Sequence, residues 1–232
     1  MHQADGAGLD MYGSISTTAS ETFMRKNTNR GYEDNVRIQG NQIKLYQENN
    51  MPVTRASIMT AFGCNYEGPV EVATVVTRLG EILALADEMG AKIQVVSLAD
   101  TMGWANPVAV KRVVGAVRDK WPELNINLHL HDTRGLGIAN ALAGMQMGVT
   151  DFDSAVAGLG GCPFAALKGA AGNVCTEDLV FLCEEMGIET GVDLDKLVEV
   201  AQLAEDIVGH PLAGSIMHAG TLTAARSLAK AA

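Results

Sequence analysis

A chain of 232 residues, 47% of them hydrophobic, is long enough for one domain with a sizeable core and too apolar to be disordered. Its 27 acids against 17 bases leave a net charge of −10, which excludes the clustered-cation chemistry that holds nucleic acid. No apolar run reaches the length of a membrane span, and MHQADGAG at the start lacks the basic and apolar parts of a signal peptide, so neither membrane nor secretion is expected.

In chain order, strand-like runs alternate with helix-like runs. The strand-like runs are GLDMYGSIS from Gly8, VTRASIMTAFG from Val53, KIQVVSLAD from Lys92, LNINLHLHD from Leu124 and DFDSAVAG from Asp151. Between them, Val72, Val75, Val76, Leu79, Ile82, Leu83 and Ala86 share one face at helical spacing, and Gly90 ends that helix. Asn106 and Pro107 are the cap and first-turn proline of a second helix, buried through Val110, Val113, Val114 and Val117. Thr176, with Glu177 and Asp178 at the positive end of the dipole, starts a third. Asp193 opens a last long helix that Gly209 and Pro211 stop. This alternation predicts a parallel sheet with right-handed crossovers. No GxGxxG follows a strand, so a dinucleotide fold is not the reading.

Polar residues collect just after strand ends, where a TIM barrel keeps its chemistry. His129 and His131 lie two apart on one strand face, as a pair of ligands for a divalent metal or as hydrogen-bonded histidines at a barrel mouth. Cys162 sits in the glycine-rich AVAGLGGCPFA, where it is either a proton donor or acceptor beside a carbanion or a buried, inert thiol. Asn173 is an amide ligand or a turn residue. Asp100 is an active-site acid or the cap of its own loop. Cys175 and Cys183 read as packing thiols, and without a CxxC pair the four cysteines fit a reducing cytoplasm.

Six stretches together resemble the 3-hydroxy-3-methylglutaryl-CoA lyase family of metal-dependent TIM-barrel lyases. They are ASETFMRKN (Ala19 to Asn27), FGCNYEG (Phe62 to Gly68), SLADT (Ser97 to Thr101), HLHDT (His129 to Thr133), GLGGCPFA (Gly158 to Ala165) and GNVCTEDLV (Gly172 to Val180). The resemblance implies a single partial (β/α)8 barrel domain over 1–232, with about its last five βα units and a C-terminal helical segment. It implies Mg²⁺ or Mn²⁺ held by His129, His131 and Asn173, with Cys162, His129 and Asp100 as catalytic groups. The implied reaction is retro-Claisen cleavage of a 3-hydroxyacyl-CoA to acetyl-CoA and acetoacetate, as in leucine degradation. An acyl-CoA is then the expected partner, and a homo-oligomer is compatible with it.

Against the family pattern, the chain begins at what resembles the fourth strand. The family's Arg-Asp metal pair and a catalytic Glu from earlier strands have no counterpart, and Arg118-Asp119 falls near a helix end. The loop from Cys162 to Asn173 is longer than usual, and Asn65 stands where proline is common. Five unpartnered strands would leave open edges, so the bare chain is expected to be poorly soluble or inactive and an upstream extension to restore cleavage. Two other readings stand beside the lyase. One is an acyl-CoA-condensing synthase of the isopropylmalate or homocitrate type, which usually carries a GERAGN-like segment in place of GLGGCPFA. The other is a non-catalytic binding subunit.

Overall fold

The structure, a computed structural model, describes residues 11–161, 171–223 and 226. They fall into two compact units, one running to Ala99 and resuming over Arg112–Asn127, the other formed by Asp100–Lys111 and the chain from Leu128 onward.

The first unit holds β1 (Gly13–Thr18), α1 (Glu21–Thr28), α2 (Tyr32–Glu48), β2 (Val53–Met59), α3 (Val72–Glu88) and β3 (Val95–Ala99). It also contains most of α4 (Pro107–Lys120) and the first residues of β4 (Asn125–His129). β1 runs parallel to β2, and β2 to β3, so that Ile15, Ala56 and Val96 share a level of a buried sheet. The helix faces read from spacing are the buried ones: Val75, Leu79, Ile82 and Ala86 in α3, and Val110, Val113, Val114 and Val117 in α4. Asn106 caps α4, accepting the Ala109 N–H through Oδ1 at 3.0 Å.

The strand-like runs are longer than the strands they contain. The second stops at Met59 because Thr60 turns into the left-handed region at φ 54°. That conformation is unusual for a β-branched residue. It is held by a buried hydroxyl cluster in which Thr60 Oγ1 meets Thr18 Oγ1 at 2.8 Å and accepts the Ser20 N–H at 3.1 Å.

The strand order of the five-stranded sheet is β1-β2-β3-β4-β5, which leaves β1 at one edge among the described residues. Side chains of α2 serve that edge. Ser16 N–H donates to Gln39 Oε1 at 2.9 Å, and Ser16 C=O accepts from Asn35 Nδ2 at 2.9 Å. Two amides thus satisfy the outward backbone groups of Ser16, blunting at that residue an edge that otherwise templates aggregation. Gln39→Leu, which strands the Ser16 N–H, is expected to cost about 1–2 kcal/mol. Faster hydrogen exchange at Ser16 and more light scattering would accompany that loss, and unchanged exchange would show that the edge is covered by other means.

The second unit carries the end of β4, then α5 (Gly137–Gln146), β5 (Asp151–Asp153), a single 3-10 turn (Val156–Gly158), α6 (Thr176–Glu185), α7 (Leu194–Val208) and α8 (Ser215–Ala219). Asp193 caps α7 by accepting the Lys196 N–H, and Gly209 at φ 79° ends it. α7 is the last long helix among the described residues, and a short one follows it. Past Pro211, α8 starts where Asp178 of α6 accepts the N–H groups of Ser215 and Ile216 at 3.0 and 2.8 Å.

Candidate functional site

The site is built within the second unit from β4, the loop after β3 and the segment before α6. His129 ends β4 and His131 follows two residues on, with their ring centroids 5.2 Å apart and their planes 66° apart. His129 Nδ1 lies 3.1 Å from Asp153 Oδ2 on β5, and His131 Nδ1 lies 3.0 Å from the Thr101 carbonyl. A carboxylate and a carbonyl only accept, so in each neutral ring Nδ1 carries the proton and Nε2 keeps its lone pair. Burial lowers the pKa of His131, and the neighbouring His129 lowers it further, against the opposing pull of the Thr101 carbonyl that accepts from its ring and of the nearby Asn173 side chain. The neutral imidazole, the form that can ligate, is therefore favoured.

Asn173 reaches the same place through the backbone. His131 and Asn173 form an isolated antiparallel bridge, with Asp132 N–H donating to Gly172 O at 2.8 Å and Val174 N–H to Leu130 O at 3.0 Å. Residues opposed in this way project their side chains to the same side. The Asn173 Nδ2 group donates to Leu159 O at 2.9 Å, while its Oδ1 is buried with no hydrogen-bond partner. Gly172 permits the approach, since a Cβ there would collide with the Gly160 carbonyl.

Asp100 is buried at the start of the loop after β3. Its Oδ1 accepts the N–H groups of Trp104 and Ala105 at 2.7 and 2.9 Å, and its Oδ2 has no partner. Burial pushes its carboxyl up to about 6, against the pull of those two N–H groups and the charges of Arg134 and His129. Loop cap and perturbed acid are thus the same residue. Arg134, which carries no motif signal of its own, staples this loop from the other side by donating to the Met102 and Gly103 carbonyls at 2.8 Å each.

Cys162 lies outside the described residues. Cys175 and Cys183 are buried, and burial is the main cause raising both thiols, so neither is a ready thiolate. Glu177 is a further residue that sequence reasoning missed. Read as a dipole-complementing acid, it is instead fully enclosed, with Oε2 accepting the Ala157 N–H at 3.0 Å and Oε1 without a partner. Its one legible signal was its place in the GNVCTEDLV stretch.

Among the described residues, no group of three or more His, Cys, Asp or Glu side chains is arranged to hold a cation. The available donor set is two imidazole nitrogens and one orphaned amide oxygen. That set suits a divalent ion whose remaining positions are taken by oxygen donors from water or substrate. The anchored Nδ1 atoms are the outer contacts that ligating histidines need. On these two observations the residues present fit a cation.

The HMGL-like family model matches residues 11–204 of this chain. Hydroxymethylglutaryl-CoA lyase YngG of Bacillus subtilis (strain 168) is 43% identical over 198 residues, covering 85% of this chain and 63% of that protein. The chain thus spans less than two thirds of this relative's length. The crystal structure of a Bacillus subtilis HMG-CoA lyase superposes with a TM-score of 0.82 at 36% identity, over 94% of this chain and 70% of that one. An HMG-CoA lyase from Acinetobacter baumannii, in complex with coenzyme A and 3-methylmalate, superposes at 0.81 and 36% identity, over 95% and 68% of the two chains.

Proposed function

This chain belongs to the HMGL-like family, and we propose that it carries the two-histidine part of a divalent-metal site that cleaves a 3-hydroxyacyl-CoA, foremost 3-hydroxy-3-methylglutaryl-CoA. The proton leaves the 3-hydroxyl and the C2–C3 bond breaks. Its electron pair stays on C2 as the enolate of acetyl-CoA, and the former carbinol carbon becomes the ketone of acetoacetate. A proton delivered to C2 completes the reaction.

The observation that carries this reading is the pair of imidazoles anchored at Nδ1, with both Nε2 lone pairs left over, beside the orphaned Asn173 oxygen. His129, His131 and Asn173 would hold Mg²⁺ or Mn²⁺. Such an ion acidifies the substrate hydroxyl and offsets charge developing on oxygen. Asp153 keeps the His129 ring in one tautomer and stabilises it when positive. His129 Nε2 has a single lone pair, so it serves either as ligand or as acceptor of the hydroxyl proton. Asp100 is the alternative acceptor, because a carboxyl at about 6 with one free oxygen exchanges protons near neutral pH. Cys162, in the GLGGCPFA stretch, is the proposed donor of the proton to C2. The coenzyme A held by the Acinetobacter baumannii relative supports an acyl-CoA ligand here. Three buried free thiols among the described residues suit a reducing compartment such as the cytoplasm.

Calorimetric titration of this chain with 3-hydroxy-3-methylglutaryl-CoA, with and without Mn²⁺, tests the proposal. Binding that strengthens with Mn²⁺ and is lost on chelation is expected. A chain that takes up neither the cation nor the thioester would overturn it.

A further inference from the structure

Glu177, the second residue of α6, is 0% exposed, and no step of the proposed reaction uses it. A carboxyl group enclosed in this way is costly unless its oxygens find hydrogen-bond partners. One oxygen is committed to the Ala157 N–H, and the other rests against Gly214, where a Cβ would collide with it.

Ala157 is what Glu177 holds. Its φ of 55° and ψ of 20° put a residue with a Cβ in the left-handed region, a strained conformation that persists only when the surroundings impose it. The turn so formed is closed by Gly158 N–H to Ala155 O and Leu159 N–H to Val156 O, both at 3.1 Å. It presents the Leu159 carbonyl to Asn173 Nδ2, and Gly158 O to the Gly172 N–H at 3.2 Å. A carboxamide has one donating and one accepting end. Tying its nitrogen to Leu159 turns its oxygen the opposite way.

We propose that Glu177 is a positioning residue for Asn173: by pinning Ala157 in its left-handed turn it places the Leu159 carbonyl that aims the Asn173 amide oxygen at the cation. The inference rests on the reading of Asn173 as a ligand given above.

The test separates the two ideas. In the metal-free protein, Glu177→Met is expected to move the Asn173 side-chain NH₂ resonances towards those of a free amide, and to weaken Mn²⁺ binding about 10-fold. Glu177→Gln, which keeps an acceptor for Ala157, should leave both readouts near wild type. Adding Ala157→Gly to Glu177→Met should restore them, because glycine adopts the turn without being held. General loosening of the core would not be repaired by that second change. Should Glu177→Met fail to fold, Glu177→Asp, whose shorter reach breaks the bond to Ala157, takes its place. Unmoved Asn173 resonances in a folded Glu177→Met or Glu177→Asp protein would overturn the positioning role, as would absence of rescue by Ala157→Gly. Unchanged Mn²⁺ affinity in Asn173→Ser would instead sink the ligand reading, whatever the resonances do.

Discussion

His131→Ala is expected to weaken Mn²⁺ binding by more than about 100-fold, and Asp153→Asn by about 10-fold, with the fold retained in both. His131 is 5% exposed, and its ring is set by the Thr101 carbonyl, so truncation removes a donor that no neighbour can replace. Asp153 touches no cation in this reading. Its carboxylate oxygen lies 3.1 Å from His129 Nδ1, and the isosteric amide keeps the shape while losing the charge that makes the ring a better donor. A graded loss therefore distinguishes ligands from the groups that orient them. His129→Ala should fall with His131→Ala. Manganese titrations followed by electron paramagnetic resonance, with circular dichroism to verify folding, would read the series. Equal affinity in wild type and both histidine variants would place the cation elsewhere.

Asp100→Asn is expected to make the metal-free protein more stable at pH 8 by about 1–3 kcal/mol. The sign follows from the direction in which burial moves the carboxyl. Folding raises it from its ordinary 3.8 to about 6, so the folded state favours the protonated form. The Asp100 contribution to stability is greatest below about pH 4 and declines as pH rises through the interval up to about 6. Above that it stays lower by at most about 3 kcal/mol, since each tenfold change in proton affinity is worth about 1.4 kcal/mol. Asparagine carries no charge to bury, and its carbonyl oxygen can still accept from Trp104 and Ala105. Its amide nitrogen inherits the place of the unpartnered Oδ2, which trims the gain. Urea unfolding at pH 4 and pH 8 should show the two proteins alike at the lower pH and separated at the higher. A variant no more stable than wild type at pH 8 would mean that the buried carboxylate is stabilised by something other than its loop.

What could be read along the chain was whatever depends on near neighbours. The strands at Val53, Val95 and Asn125, the buried stripes of α3 and α4, and the caps at Asn106 and Asp193 follow from periodicity and from side chains that bond within three residues. Three helices lacked that signature. α1 buries only Phe23 and Met24, α2 buries the amide Gln39 and Gly40 beside Ile43, and α5 is closed up by Gly137, Asn140, Ala141, Ala143 and Gly144 without a stripe of large residues. Their helicity comes from what packs on them.

The chemistry divides along the same line. That His129 and His131 share a face is a property of two-residue spacing, and Asp100 could be seen at a strand end. That Asn173 lies against His131, that Asp153 sets the His129 tautomer, and that Glu177 anchors Ala157 are contacts across 20 or more residues. Hydrogen bonds of that kind leave no local pattern, because their partners meet only after the strands and turns between them have folded. Residue types and short spacings named the ingredients of the site, whereas which lone pairs remain free follows from packing at long sequence separation.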